Sequence, residues 1–348
     1  MPPHLYLTAE TEDFDAVIMQ HWREEGFDVA YLPFNGGGHA YTAALQNLAD
    51  DLEAGESYGL IAYGAPASTC LSIHTEPQPH LAVLVCYYPP SIADPRARYP
   101  AHLQLVLHLA GSQGFNPAFA SYTYPGTEPG FAEHDLGSFD KVAAGLAWSR
   151  SLGAVRRGFG VDVDLEGIWE GHRPWRTEEF TNRDAAATMA TMVAEPYVNH
   201  IPTLTGGIGK QELYRFYRDF FIPSNPPTLN IRLVSRTIGV DRVVDEMLIS
   251  FRHTQEIPWM LPGVPPTDRQ VQVALVSVVC IRGGKLYHEH IYWDQASVLV
   301  QIGALDPKLV PDGLKKRGME RLPVVGEESA MKMIDESSVP SNELIPDW

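Results

Sequence analysis

The first half of the chain alternates short, continuous apolar runs with stretches of helical spacing. Leu5-Tyr6-Leu7 opens the pattern, and helical periodicity over 13–25 follows, ending at Gly26. Residues 27–32 alternate as a strand does and stop before Gly36-Gly37-Gly38, whose spacing fits neither nucleotide-binding glycine motif and reads as a plain loop. Helical spacing returns over 41–52, and three near-continuous apolar runs follow at 58–63, 81–88 and 103–109. Apolar runs of this length between helices predict parallel strands buried on both faces, an α/β layer architecture.

The second half has a different order. Helical stretches over 181–194 and 210–220 flank a segment broken by proline and glycine, 196–209. Three long strand patterns come next, over 229–240, 243–256 and 271–282, and Gly283-Gly284 turns the last of these into a fourth, Lys285–Trp293. Helices first and then a meander of strands predict an α+β domain. The expected division is therefore 1–158, a connecting arm over 159–177, a second domain over 178–306, and an extended tail over 307–348 rich in Pro, Gly and charge.

Composition removes several classes. With 26 Lys plus Arg against 43 Asp plus Glu, the formal charge of -17 opposes binding to a phosphate backbone, so no nucleic-acid partner is expected. No run approaches the roughly 18 apolar residues a membrane helix needs, and Met1-Pro2-Pro3-His4 lacks the basic and apolar regions of a secretory signal. Cys70, Cys86 and Cys280 are odd in number and lack metal-binding or redox spacing, so they read as core thiols in a reducing, cytoplasmic compartment.

In the first half, Leu60-Ile61-Ala62-Tyr63-Gly64-Ala65-Pro66-Ala67-Ser68 looks like the strand–turn–helix of a nucleophile elbow, and Tyr124-Pro125-Gly126-Thr127-Glu128-Pro129-Gly130-Phe131 looks like the segment that carries the catalytic histidine in dienelactone hydrolases. From residue 4 to about 150 the chain resembles that α/β-hydrolase family. The resemblance implies a nucleophile where Gly64 stands and a base where Pro129 stands. It implies an acid near Ser112-Gln113-Gly114, which offers no carboxylate. All three slots are empty, and Ser68, Cys70 and His134 are poor substitutes because the elbow presents one position only. A domain without hydrolase chemistry is expected here.

In the strand Lys285–Trp293, alternation puts His288, His290, Tyr292 and then Asp294 on one face and Glu289, Ile291 and Trp293 on the other. By alternation alone, either face satisfies the pattern: the first as a polar site inside the domain, or as a solvated outer surface with Ile291 and Trp293 turned inward. The run from Gly283 through Tyr292-Trp293-Asp294 to Gly303 resembles the last strand of SnoaL-like polyketide cyclases, which share the cone-shaped α+β fold of nuclear transport factor 2, and residues 178 to 305 follow that order of elements. The segment Asn199-His200-Ile201-Pro202-Thr203-Leu204-Thr205-Gly206-Gly207 looks like the helix-to-helix turn that lines the pocket in that family.

The resemblance implies a cofactor-independent enzyme with Asp294 as general base and His288, His290 or His253 as acid or oxyanion partner. His200, Phe251, Trp259, Met260 and Tyr292 are the expected substrate-binding residues. His288, His290, His253 and Asp294 are also the donor types of a mixed metal site, but the resemblance implies no metal and no H-E-x-x-H motif occurs. The expected reaction removes a proton next to a carbonyl of an apolar, polyketide-like metabolite, ending in cyclisation, isomerisation or elimination. Ester or lactone hydrolysis and non-catalytic binding of a small molecule are the alternatives. A homodimer is expected by resemblance, and the sequence leaves open whether His172 and Glu179 of the arm reach the pocket.

Overall fold

The computed structural model describes residues 2–50, 52–53, 55–171 and 184–348. It separates into two compact units, Met1–Val163 and Asp164–Trp348. Among the described residues of the first unit, six parallel strands form one sheet in the order β2-β1-β3-β4-β5-β6. They are β1 (His4–Ala9), β2 (Asp28–Pro33), β3 (Tyr58–Tyr63), β4 (Leu81–Tyr87), β5 (Gln104–Ala110) and β6 (Ser121–Tyr124). The helices of this unit are α1 (Ala16–Glu24), α2 (Gly38–Gln46), α3 (Ala65–Ile73) and α4 (Lys141–Phe159). Every residue of β3 is buried, as a parallel strand covered on both faces requires. Leu60, Leu84, Leu107 and Leu109 are fully buried, each contributing about 1.5–3 kcal/mol. Asp15 caps α1 by accepting from the amides of Val17 at 2.8 Å and Ile18 at 3.2 Å. The sequence pattern does not reveal β6, whose four residues carry no apolar run.

In the second unit, α5 (Leu165–Gly171) and α6 (Ala185–Ala190) precede a mixed sheet in the order β8-β7-β12-β11-β10-β9. The strands are β7 (Met192–His200), β8 (Thr205–Ile208), β9 (Asn230–Ile238), β10 (Arg242–Arg252), β11 (Gln270–Arg282) and β12 (Lys285–Trp293). Between β8 and β9 lie α7 (Gly209–Arg215), a π-helical turn over Phe216–Phe221 and a short 3₁₀ turn over Ile222–Ser224. After β12 come α8 (Gln295–Gln301), α9 (Asp312–Lys315) and α10 (Glu328–Ile334).

Three expectations need correction. The helical stretch over 181–194 is α6 followed directly by β7, because Met192 starts a strand paired with β12. Pro196, which reads as a strand breaker, falls where the β7–β12 register slips between Leu286 and His288, so the missing N–H costs no ladder bond there. The segment 199–207 is a hairpin joining β7 to antiparallel β8, not a helix-to-helix turn. The tail is not extended throughout: Val310 and Ala330 are buried, and the Ser297 hydroxyl donates to the Gly326 carbonyl at 2.7 Å. His172 and Glu179 lie outside the described residues. Among the described residues no helix is long and apolar enough to cross a membrane.

Candidate functional site in the C-terminal unit

The strand register writes one row of residues across the second sheet. His200 on β7 stands opposite Ile291 on β12, Ile291 opposite Ser277 on β11, Ser277 opposite Asp245 on β10, and Asp245 opposite Arg236 on β9. Glu289 is two residues from Ile291 on β12 and therefore shares its face. That face is otherwise apolar. With Trp169 of α5, Tyr217 and Phe221 of the π-helical turn, and Trp259, it walls a cavity of about 900 Å³ counted with its open mouth. Met247, Ile249, Leu275, Leu286 and Ile291 supply much of the apolar lining, among which stand Ser277, Glu289 and His200.

Among the described residues Glu289 is the one carboxyl group that lines this cavity. The Ser277 hydroxyl donates to its Oε1 at 2.6 Å, and no other hydrogen bond to the side chain occurs among the described residues. Removal from water pushes its pKa up to about 7, and the nearby Asp245 charge adds to that, while the Ser277 bond opposes it. Near neutral pH this group is therefore present both as acid and as carboxylate.

Asp245 is held differently. It accepts two bonds from the Arg236 guanidinium, at 2.6 and 2.7 Å, and a third from the Trp169 indole N–H at 3.0 Å. Arg236 also reaches Glu170, and Glu166 at 3.2 Å, so this arginine ties α5 to the sheet alongside the Trp169–Asp245 bond. Its positive charge is thus spent on carboxylates, and among the described residues no Lys or Arg lines the cavity.

His200 is buried at 3% exposure, and its Nδ1 lies 3.1 Å from the Thr205 carbonyl oxygen. Burial lowers its pKa to about 4, which the Thr205 bond only partly offsets, so the ring is neutral at physiological pH. The β7–β8 hairpin that supplies Thr205 depends on Gly206, whose φ is +133° and where a Cβ would stand 2.0 Å from the Val198 carbonyl oxygen. Gly206→Ala is expected to cost about 1–3 kcal/mol and to release the His200 ring. A ring-proton NMR signal from His200 as sharp as that of the unaltered protein would show that expectation wrong.

The structure inverts the expected face of β12. Asp294 is exposed and caps α8, accepting from the Ala296 amide at 3.0 Å. His288 and His290 lie outside the cavity lining, their rings 5.3 Å apart; His290 packs on Tyr197 at 5.4 Å, and Tyr292 is 42% exposed. The reason is packing: Ile291 and Trp293 are apolar and turn inward, and Glu289 goes with them. The register slips at Cys280/Ile281 and at Leu286/His288 then change the phase, which puts Leu286 on the cavity side as well.

His253 is fully buried, its Nδ1 3.1 Å from the Thr267 hydroxyl, but it does not line the cavity. Phe251 and Met260 are core residues, also outside the lining, whereas His200 and Trp259 belong to it. Among the described residues, no group of three or more His, Cys, Asp or Glu is arranged to hold a metal. Sequence reasoning missed Glu289, Ser277 and Asp245. Their signal was a polar residue on an otherwise apolar alternating face, clearest in Val243-x-Asp245-x-Met247-x-Ile249-x-Phe251.

In the first unit, Gly64 joins β3 to α3 with φ 68° and ψ −132°, and a Cβ there would lie 2.8 Å from a Glu10 carboxylate oxygen. Ser68 donates to the Ser91 carbonyl at 2.6 Å, Cys70 is fully buried with its thiol pushed up to about 12 by desolvation, and His134 pairs with Asp15 at 3.0 Å.

Residues 176–289 match the family model of the SnoaL-like domain. Among curated proteins no sequence matches the chain. Similar solved structures include TsrD from Streptomyces laurentii, at 17% identity and TM-score 0.33, with 41% of this chain covering 100% of that one. A protein of Jannaschia sp. CCS1, named for the SnoaL-like polyketide cyclases, aligns at 17% identity and TM-score 0.33, with 42% of this chain covering 99% of that one. SalBIII, an epoxide hydrolase/cyclase-like enzyme with a role in pyran ring formation in salinomycin, aligns at 12% identity and TM-score 0.28, over 37% of this chain and 88% of that one. What the C-terminal unit carries over residues 176–289 is a SnoaL-like domain.

Proposed function

We propose that the cavity of the C-terminal unit is the active site of a cofactor-independent acid–base enzyme of the cyclase or isomerase type, with Glu289 as the group that moves the proton. The substrate is an apolar, carbonyl-containing metabolite. The observation that carries this reading is one carboxyl group, with a pKa of about 7, set in an apolar cavity. A group with its pKa near the working pH is the most effective proton donor and acceptor. As carboxylate, Glu289 accepts a carbon-bound proton next to the carbonyl; as acid, it hydrogen-bonds the carbonyl oxygen or returns the proton at another carbon. The match of residues 176–289 to the SnoaL-like domain supports the same class of reaction.

Hydrolysis in the N-terminal unit finds no support at the elbow position, where Gly64 has no side chain to attack with. The test is to screen carbonyl-rich polyketide-like compounds for turnover and then to assay Glu289→Gln. Loss of turnover with an intact fold supports the proposal. Full turnover in the variant removes Glu289 from the reaction, and a ligand bound tightly but recovered unchanged favours a binding protein.

A further inference from the structure

We infer that His200 is the fixed hydrogen-bond acceptor of this cavity, and that its ligand is a neutral, apolar molecule presenting a hydroxyl or N–H group to Nε2. This deepens the proposal above and rests on it for the location of the ligand.

A carbonyl oxygen only accepts, so the 3.1 Å contact between Nδ1 and the Thr205 carbonyl requires the proton on Nδ1. In the neutral ring Nε2 is then a bare lone pair. The hairpin holds the acceptor in place: the hydroxyls of Thr203 and Thr205 both donate to the Trp259 carbonyl, at 2.7 and 2.9 Å, and the Leu204 amide returns to the His200 carbonyl at 2.8 Å.

The ring itself is packed among aromatic neighbours. Its centroid lies 5.1 Å from that of Trp259, 5.7 Å from those of Phe216 and Phe221, and 5.8 Å from that of Trp293. A flip of the ring would trade the Nδ1–H bond for a C–H facing the carbonyl. Among the described residues no protein donor reaches Nε2, although the residue lines the cavity. A lone pair in apolar surroundings favours a ligand that brings a donor to it.

Two further features narrow the ligand. Among the described residues no Lys or Arg lines the cavity and Glu289 is the one carboxylate there, so an anionic ligand meets no compensating charge from them. Adjacent strands lie ~4.8 Å apart and two residues span ~6.6 Å, which puts the His200 and Glu289 backbones roughly 8 Å apart, one diagonal step on a shared face. A single small molecule can therefore offer an O–H to His200 and a carbonyl to protonated Glu289, which describes a hydroxy-carbonyl compound or an enol.

The test uses the full chain with 2-naphthol and 2-methoxynaphthalene, measured by titration calorimetry at pH 7. The methyl ether is the more apolar of the two, so hydrophobic transfer alone favours it. The expected result is about tenfold tighter binding of 2-naphthol, the size of one neutral hydrogen bond. In His200→Phe the two affinities should become nearly equal, and in His200→Gln, whose side-chain carbonyl accepts, part of the preference should remain.

Glu289→Gln should leave the ratio unchanged, so this inference and the proposed reaction fail separately. Long-range proton–nitrogen NMR of the His200 ring should place its proton on Nδ1. A proton on Nε2, an unchanged ratio in His200→Phe, or failure of the unaltered protein to bind either naphthalene would overturn the inference.

Discussion

Replacing Arg236 with leucine is expected to cost the C-terminal unit about 3–5 kcal/mol of stability, because it leaves the Asp245 carboxylate buried without a counter-charge. The side chains of the pair are 6% and 2% exposed, and the two N–H···O bonds between them, at 2.6 and 2.7 Å, are replaced by nothing in the variant. The same guanidinium also holds Glu170 and Glu166, so α5 loses its tie to β9 in one step. Trp169, whose indole bonds to Asp245, walls the cavity, and ligand binding should weaken with stability. Amide exchange of β9 and β10 is the measurement, since it reports on this unit alone. A second substitution, Asp245→Leu, in the Arg236→Leu background should recover most of the loss, because an apolar pair needs no compensation. A loss below about 1 kcal/mol in the single variant would mean that water already reaches the carboxylate.

Glu289→Gln should do the opposite to stability while removing the proposed activity. The folded-state pKa is about 7, against an ordinary value of 4.5. As the pH rises from 4.5, the unfolded chain gives up this proton first and is favoured by doing so, while the folded chain keeps it until about pH 7. Stability contributed by the protonated group is therefore complete below about pH 4.5 and falls across the window up to 7, by about 3 kcal/mol in all. Glutamine carries no such charge. The variant should match the unaltered protein near pH 4.5 and be more stable by up to about 3 kcal/mol at pH 8. Turnover should drop by about 10²–10⁴-fold, the usual contribution of a positioned acid or base. Urea midpoints at the two pH values test the first half. Equal stability differences at both would mean that Glu289 ionises normally in the fold.

Much of the fold was legible because burial on both faces, or on one, leaves a simple trace in sequence. The strands at 58–63 and 104–110 appear within near-continuous apolar runs, and those at 242–252 and 270–282 alternate buried with half-buried positions over most of their length. β7 was hidden by Pro196, which is harmless only because a register slip accommodates it. The site was less legible. Alternation sorts Lys285–Trp293 into two faces without saying which is inside, and the histidine-rich face carries more of the chemically versatile side chains. The carboxylate that ends in the cavity was on the face that looked like plain core.

The sequence by itself determined two units of different layer type and a strongly acidic balance, a formal charge of -17. Each of these follows from local composition or period. Only the tertiary structure decided that His200, Ser277, Asp245 and Arg236 form one row, that Glu289 adjoins it, and that Asp294 caps a helix instead of entering the cavity. Those outcomes depend on the pairing register of five strands and on slips of one or three residues between them. A slip of that size reverses a side chain from one face to the other, and no window of local sequence contains it.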